Sequence, residues 1–183
     1  MKRGQSQVFL ALWLFAAAVC AQIEETRTLE LQGDKRITYA LRSHPANAHL
    51  LQPGVELAPT SALNSAKLLY LHLSIGDIEE AALLSNSPRR RFEVLQDYRE
   101  SVGDEEFKRV FAQYFDPKSR VIAEIAIGDR RLLVWDLQEG ALRIAGQYFV
   151  EIEGRFLIDD VPNETRNNLR DVLEAYRSGK LPR

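Results

Sequence analysis

The period of the hydrophobic pattern switches from helical to strand-like at Asp116-Pro117, and that switch limits the folds open to this chain. Before it, Phe107, Val110, Phe111 and Tyr114 recur at i, i+3, i+4 and i+7, the spacing of one helix face. After it, Arg120 to Ile127 and Arg131 to Leu137 are β-branched or apolar-rich runs separated by a turn at Gly128-Asp129. Ala141 to Ile152 then alternates, with Leu142, Ile144, Tyr148, Val150 and Ile152 on one face. Glu153-Gly154 turns it into a partner strand carrying Phe156 and Ile158. Turns this short join antiparallel neighbours. A parallel doubly wound sheet needs crossovers of a dozen residues or more, and is excluded.

The rest of the chain follows the same two periods. Thr28 to Gln32 and Arg36 to Arg42 alternate on either side of Gly33-Asp34, as a β-hairpin with one buried face does. Periodicity vanishes over 43–59, where Pro45, Pro53 and Pro59 mark a long loop, either a linker or a flap. Leu63, Ala66, Tyr70 and Leu73 have helical spacing behind Thr60 as N-cap. Gly76 ends that helix, and Asp77 opens the next with Glu80 three residues on. Ser87-Pro88 reads as a cap followed by a first helical position, with Phe92, Leu95 and Tyr98 as the stripe behind it. Asp160 or Asn163 caps a last helix whose stripe is Leu169, Val172, Leu173 and Tyr176. Helices grouped and then strands grouped make an α+β fold. The expected order is an N-terminal β-hairpin, a helical segment, a four-stranded antiparallel sheet and a C-terminal helix. The expected divisions are 1–21, the hairpin 22–42, the loop 43–59 and the main domain 60–183.

Residues 1–21 read as an export signal. Lys2 and Arg3 precede an uncharged apolar run, Val8 to Ala21, shorter than the roughly 20 residues that a helix needs to cross a bilayer. Cleavage near Ala21/Gln22 places the mature chain in the periplasm or outside the cell. Lipoprotein processing at Cys20 is the alternative, although Ala17-Ala18-Val19 lacks the usual leucine before it. Cys20 is the single cysteine, so the mature chain offers no disulfide and no thiolate chemistry. No later stretch approaches membrane-spanning length. With 24 Lys+Arg against 26 Asp+Glu and no lysine-rich tail, a basic nucleic-acid binder is excluded.

The stretch Ser74-Ile75-Gly76-Asp77-Ile78-Glu79-Glu80-Ala81-Ala82, followed by helices and four strands, resembles the nuclear transport factor 2-like, or cystatin-like, α+β cone over roughly Ser61 to Asp160. The resemblance implies a strongly curved sheet wrapped around the helices, with the N-terminal hairpin and C-terminal helix as additions. It also implies a superfamily of isomerases, cyclases, dehydratases and non-catalytic binding modules, so it leaves function open. The ketosteroid isomerase set of an Asp base with Tyr and protonated Asp donors has no counterpart here at matching spacing, and no catalytic residue is carried over.

Sites are weighed on chemistry. His44, His49 and His72 do not have metal-ligand spacing, and no metal or other cofactor is expected. Neither a nucleophile elbow nor a glycine-rich phosphate loop occurs. Asp159 and Asp160 stand where a strand gives way to a helix, which capping and the helix dipole explain. Arg89-Arg90-Arg91 is less easily explained, because cations in a first helical turn oppose the macrodipole. Glu93, Asp97 or the Asp77/Glu79/Glu80 group would offset them internally, and an anionic partner would do so externally. Tyr98, Tyr114, Trp135 and Tyr148, with Tyr70, are the candidates for lining an apolar pocket with polar tips.

The expected function is therefore an exported, non-enzymatic binding protein of the cell envelope, holding a small apolar ligand or a protein partner. A small acid/base lyase, isomerase or cyclase acting in the cone is the alternative. A homodimer joined through the sheet face that carries Arg143, Gln147 and Glu151 is a third reading.

Overall fold

The computed structural model describes residues 24–31, 33–137 and 143–182. The proposed signal, Cys20 and the start of the long alternating run at Ala141-Leu142 lie outside them. The strands are β1 (Glu24–Glu30), β2 (Arg36–Arg42), β3 (Arg120–Ile127), β4 (Arg130–Asp136), β5 (Ile144–Ile152) and β6 (Arg155–Ile158). The helices are α1 (Ala62–Ile75), α2 (Ile78–Leu83), α3 (Pro88–Val102), α4 (Asp104–Ala112) and α5 (Glu164–Arg177), with a 3₁₀ turn at Gln113–Phe115. The α+β class and the antiparallel pairing hold.

The sheet has six strands rather than four, in chain order β1 to β6. The hairpin strands belong to the same sheet: the end of β2 pairs with β3 through Ala40↔Ala126, Leu41↔Ile125 and Arg42↔Glu124. That register sets Leu41 beside Ile125, both buried, so the hairpin extends the same apolar face. Its turn follows the sequence: Gly33 and Asp34 both take positive φ, at 76° and 61°, conformations open to Gly and tolerated by Asp.

Strand alternation divides the core in two. On β4, Leu133 and Trp135 face one side while Leu132 and Val134 face the other, and all four are buried. The first side packs against α1–α4 through Leu69, Leu73, Phe107 and Phe149. The second packs against α5 through Leu169, Val172, Leu173 and Tyr176, the stripe expected from helical spacing. A bulge at Val121/Ala123 lets β3 serve both, with Val121 in the first cluster and Ala123 and Ile125 in the second. Two cores explain why β4 reads as a continuous apolar run: a strand covered on both faces has no solvent side to mark. The β5 face bearing Gln147, offered by the sequence as a dimer surface, is covered by helices, and Phe149 on it is fully buried.

Helix ends follow local chemistry. Ser61, not Thr60, caps α1, its Oγ accepting from the Asn64 N–H at 3.1 Å. Gly76 closes α1 at φ +85°, its N–H donating to Leu73 O while the Asp77 N–H donates to His72 O. Asp77 Oδ1 then caps α2 by accepting from the Glu80 N–H. Asn163 caps α5 through Oδ1 and the Arg166 N–H. α5 comes close to the sheet at Gly146, where a Cβ would stand 3.0 Å from Leu173 Cδ1 and 3.1 Å from Leu132 Cδ1. The absence of a side chain there lets helix and strand approach.

Candidate functional site

The expected pocket aromatics separate onto two faces. Tyr98, Tyr114 and Trp135 come together on the α1–α4 side, with Tyr70, Phe107, Phe111 and His49. Tyr148 pairs in register with Leu132 and belongs to the α5 side. The first group is packed ring on ring: Tyr70 and Tyr114 stack at 3.6 Å between centroids, and both meet Trp135 edge-on at 5.6 and 5.1 Å. Trp135 is 1% exposed. Burial, as the largest cause, raises the phenol pKa of Tyr70 well above its ordinary value and that of Tyr114 above it. His49, from the 43–59 loop, is also fully buried, and its Nε2 donates to Asp116 O at 3.0 Å. That bond leaves its Nδ1 buried without a partner among the described residues, as is the Trp135 Nε1–H.

Buried carboxylates are matched to cations. Glu124 meets His44 Nε2 at 2.7 Å, with Arg42 at 3.7 Å and Arg131 at 3.9 Å. Asp136 meets Arg143 at 3.1 Å and Arg120 at 3.4 Å. Asp159 accepts from Arg130 Nε at 3.0 Å and from Asn86 Nδ2 at 2.9 Å. Among the described residues no three His, Cys, Asp or Glu side chains gather to hold a metal, and no helix is long and apolar enough to cross a membrane.

Asp160 organises a different kind of place. The linker between α2 and α3 is stitched to the end of β6: Ile158 N–H donates to Leu84 O, and Asn86 N–H to Ile158 O. Side chains complete the clasp. Asn86 Oδ1 accepts from the Asp160 N–H, Ser85 Oγ donates to Asp160 Oδ2 at 2.6 Å, and the Ser87 N–H donates to Ser85 Oγ. Asp160 then receives Arg91 in a two-point fork, Nε to Oδ2 at 2.8 Å and Nη2 to Oδ1. Of the two caps that the sequence offers for α5, Asn163 has the part and Asp160 does not.

Around this clasp the starts of α3 and α5 enclose a crevice of about 210 Å³ lined by Arg90, Arg91, Val94, Asp160 and Arg166. Pro88 occupies the first turn of α3 as expected, but the Ser87 side chain makes no capping bond. The three candidate arginines have different fates. Arg89 is exposed and pairs with Glu93 at 3.1 Å, Arg91 pairs with Asp160, and Arg90 is exposed with no ion pair among the described residues. Arg166 joins them from the first turn of α5. Its guanidinium lies over the Tyr148 ring at 5.1 Å, and its Nε is buried without a hydrogen-bond partner among the described residues. Each first-turn cation opposes its helix dipole by about 0.3–1 kcal/mol when exposed. In two other hollows an ion pair stands in the lining: Arg99 is held by Asp104 in one, and Asp171 by Lys35 in the other.

Of this crevice, sequence reasoning names neither Val94 nor Arg166, and it reads Asp160 only as a helix cap. For Arg166 a signal exists, since it stands three residues after the Asn163 cap and so breaks the same dipole rule as Arg89–Arg91. No family model matches this chain, and neither a curated protein nor a solved structure matches it.

Proposed function

We propose that this chain is an exported, non-enzymatic binding protein of the cell envelope that engages an anionic partner at the crevice between the starts of α3 and α5. The observation that carries the reading is the uncompensated charge there: Arg90 and Arg166 have no carboxylate partner among the described residues, while Asp160 is taken up by Arg91. A chain of net charge −2 that concentrates cations where two helix dipoles oppose them has a local potential suited to attracting an anion. Export rests on the basic flank and apolar run of residues 1–21.

The ring-on-ring aromatic packing gives less support to a small apolar ligand, and the arginine-paired carboxylates give less to acid/base chemistry. The cone resemblance belongs to the same reading, supported by α1–α4 gathered on one face of an antiparallel sheet, with α5 as an added layer. Fluorescence anisotropy of a labelled oligo-glutamate peptide against the purified protein tests the anionic-partner reading. Binding that weakens steeply with salt and falls in R90Q and R166Q is expected. A co-purified apolar molecule in native mass spectrometry, with no affinity for any anion, refutes it.

A further inference from the structure

We infer that the α3–α5 crevice holds one dianionic tetrahedral oxyanion, the phosphate of inorganic phosphate or of a phosphate monoester. The inference rests on the anionic-partner reading above and narrows it to a chemical group. Charge gives the first argument. Arg90, Arg91 and Arg166 face a single carboxylate, Asp160, so the lining carries two uncompensated positive charges. A phosphate monoester brings about −1.5 to −2 at pH 7, whereas a carboxylate brings half of that. Neighbouring acids do not alter the count: Glu93 pairs with Arg89, and neither Glu93 nor Glu164 lines the crevice.

Donor geometry gives the second. A guanidinium has five N–H groups in a fixed plane. Asp160 takes the Nε–H and one Nη2–H of Arg91, which fixes that plane and leaves both Nη1 hydrogens and the second Nη2 hydrogen for another acceptor. Ser85 holds Asp160 in turn, and Asn86 and the backbone of Leu84 hold the strand end that carries it. The fork is therefore set before any ligand arrives, which lowers the ordering cost of binding. Tyr148 plays the corresponding part for Arg166 by stacking under its guanidinium. Planar forks on two different elements suit the several oxygens of a phosphate better than one ammonium would. At about 210 Å³ the space exceeds the roughly 30 Å³ share of one water several times over.

Isothermal titration calorimetry of the purified protein at constant ionic strength tests this with sodium phosphate, sodium acetate and an oligo-glutamate peptide. Saturable phosphate binding with no acetate binding at the same concentration is expected. R90Q and R166Q each weaken it by about tenfold or more, the loss of charge-assisted hydrogen bonds, and R89Q changes it by less than about twofold. Arg90 is exposed and has no ion pair among the described residues, so R90Q keeps the test decisive if R166Q perturbs packing over Tyr148. Vesicles containing phosphatidic acid distinguish the source: retention on them in the same arginine-dependent way assigns a lipid-borne phosphate, and phosphate binding without retention assigns a soluble one. Peptide binding without phosphate binding overturns the phosphate assignment and leaves the anionic-partner reading standing. Failure of every anion to bind overturns both.

Discussion

The Arg130–Asp159 pair makes a lopsided prediction about stability. The Asp159 side chain is wholly buried, while that of Arg130 is 21% exposed and also reaches Asp129 at 2.7 Å. Replacing Arg130 with Met leaves a carboxylate with no solvent and no countercharge, only the amides of Asn86 and, at 3.4 Å, Asn163. Breaking a buried pair from that side costs about 3–5 kcal/mol. Replacing Asp159 with Asn removes the charge from the dry side instead. Arg130 then keeps Asp129 and its contact with water, so the loss is that of one charge-assisted hydrogen bond, about 1.5–3 kcal/mol. With a urea m-value of about 2 kcal/mol/M, the midpoint should fall by about 1.5–2.5 M in R130M and by about 0.7–1.5 M in D159N. The double variant should lie closer to D159N than to the sum, because it strands no charge. Urea denaturation followed by tryptophan fluorescence reads all three. Equal losses in the two single variants, or a larger loss in D159N, would refute the argument from unequal solvent access.

Gly146→Ala forces Leu173 and Leu132 apart where α5 meets β5, and a thermal melt should show a loss of about 1–3 kcal/mol, the cost of overpacking; an unchanged melting temperature would show that Leu173 yields freely. Trp135→Phe removes a buried N–H that has no partner among the described residues, so urea titration should find it much milder than Trp135→Ala, which should cost about 3–5 kcal/mol. Tyr39, Tyr70, Tyr114, Tyr148 and Tyr176 all have phenols raised above 10, chiefly by burial, with Tyr176 pushed up to about 12. The unfolded chain then releases these protons first, so this contribution to stability is whole below pH 10 and declines as pH rises toward 12. Chemical denaturation across that window should show stability falling with pH, and ultraviolet titration should show late phenolate absorbance; early ionisation would contradict the buried placement.

Legibility in the sequence depended on whether a signal was local. The α5 stripe was readable because Leu169, Val172, Leu173 and Tyr176 share one face of one helix. The caps at Asp77 and Asn163 were readable for the same reason. The union of hairpin and sheet was not, since Leu41 and Ile125 are adjacent only after 43–119 has been folded aside. Tyr148 and Trp135 fall on opposite faces because of the β4–β5 register, Leu132↔Tyr148 and Trp135↔Ala145, which no single strand reveals. The ion pairs of Glu124 and Asp159 were not readable either. Their cations lie on other elements, and charge pairing across a fold leaves no periodicity to find.

Chain-order topology also bears on how this protein assembles. The links β1–β2, β3–β4, β4–β5 and β5–β6 each join strands close in sequence, but β2–β3 must close over all of 43–119. Closure of so long a segment carries an entropy cost before the pairing of Ala40–Arg42 repays any of it. The N-terminal hairpin should accordingly be the last part of the sheet to dock and the first to lift away, with the fastest amide exchange among the strands. While it is detached, β3 presents a bare edge next to Ile125 and Ile127, the kind of template to which another chain can add. In this architecture the hairpin is a latch against swapping and fibre growth.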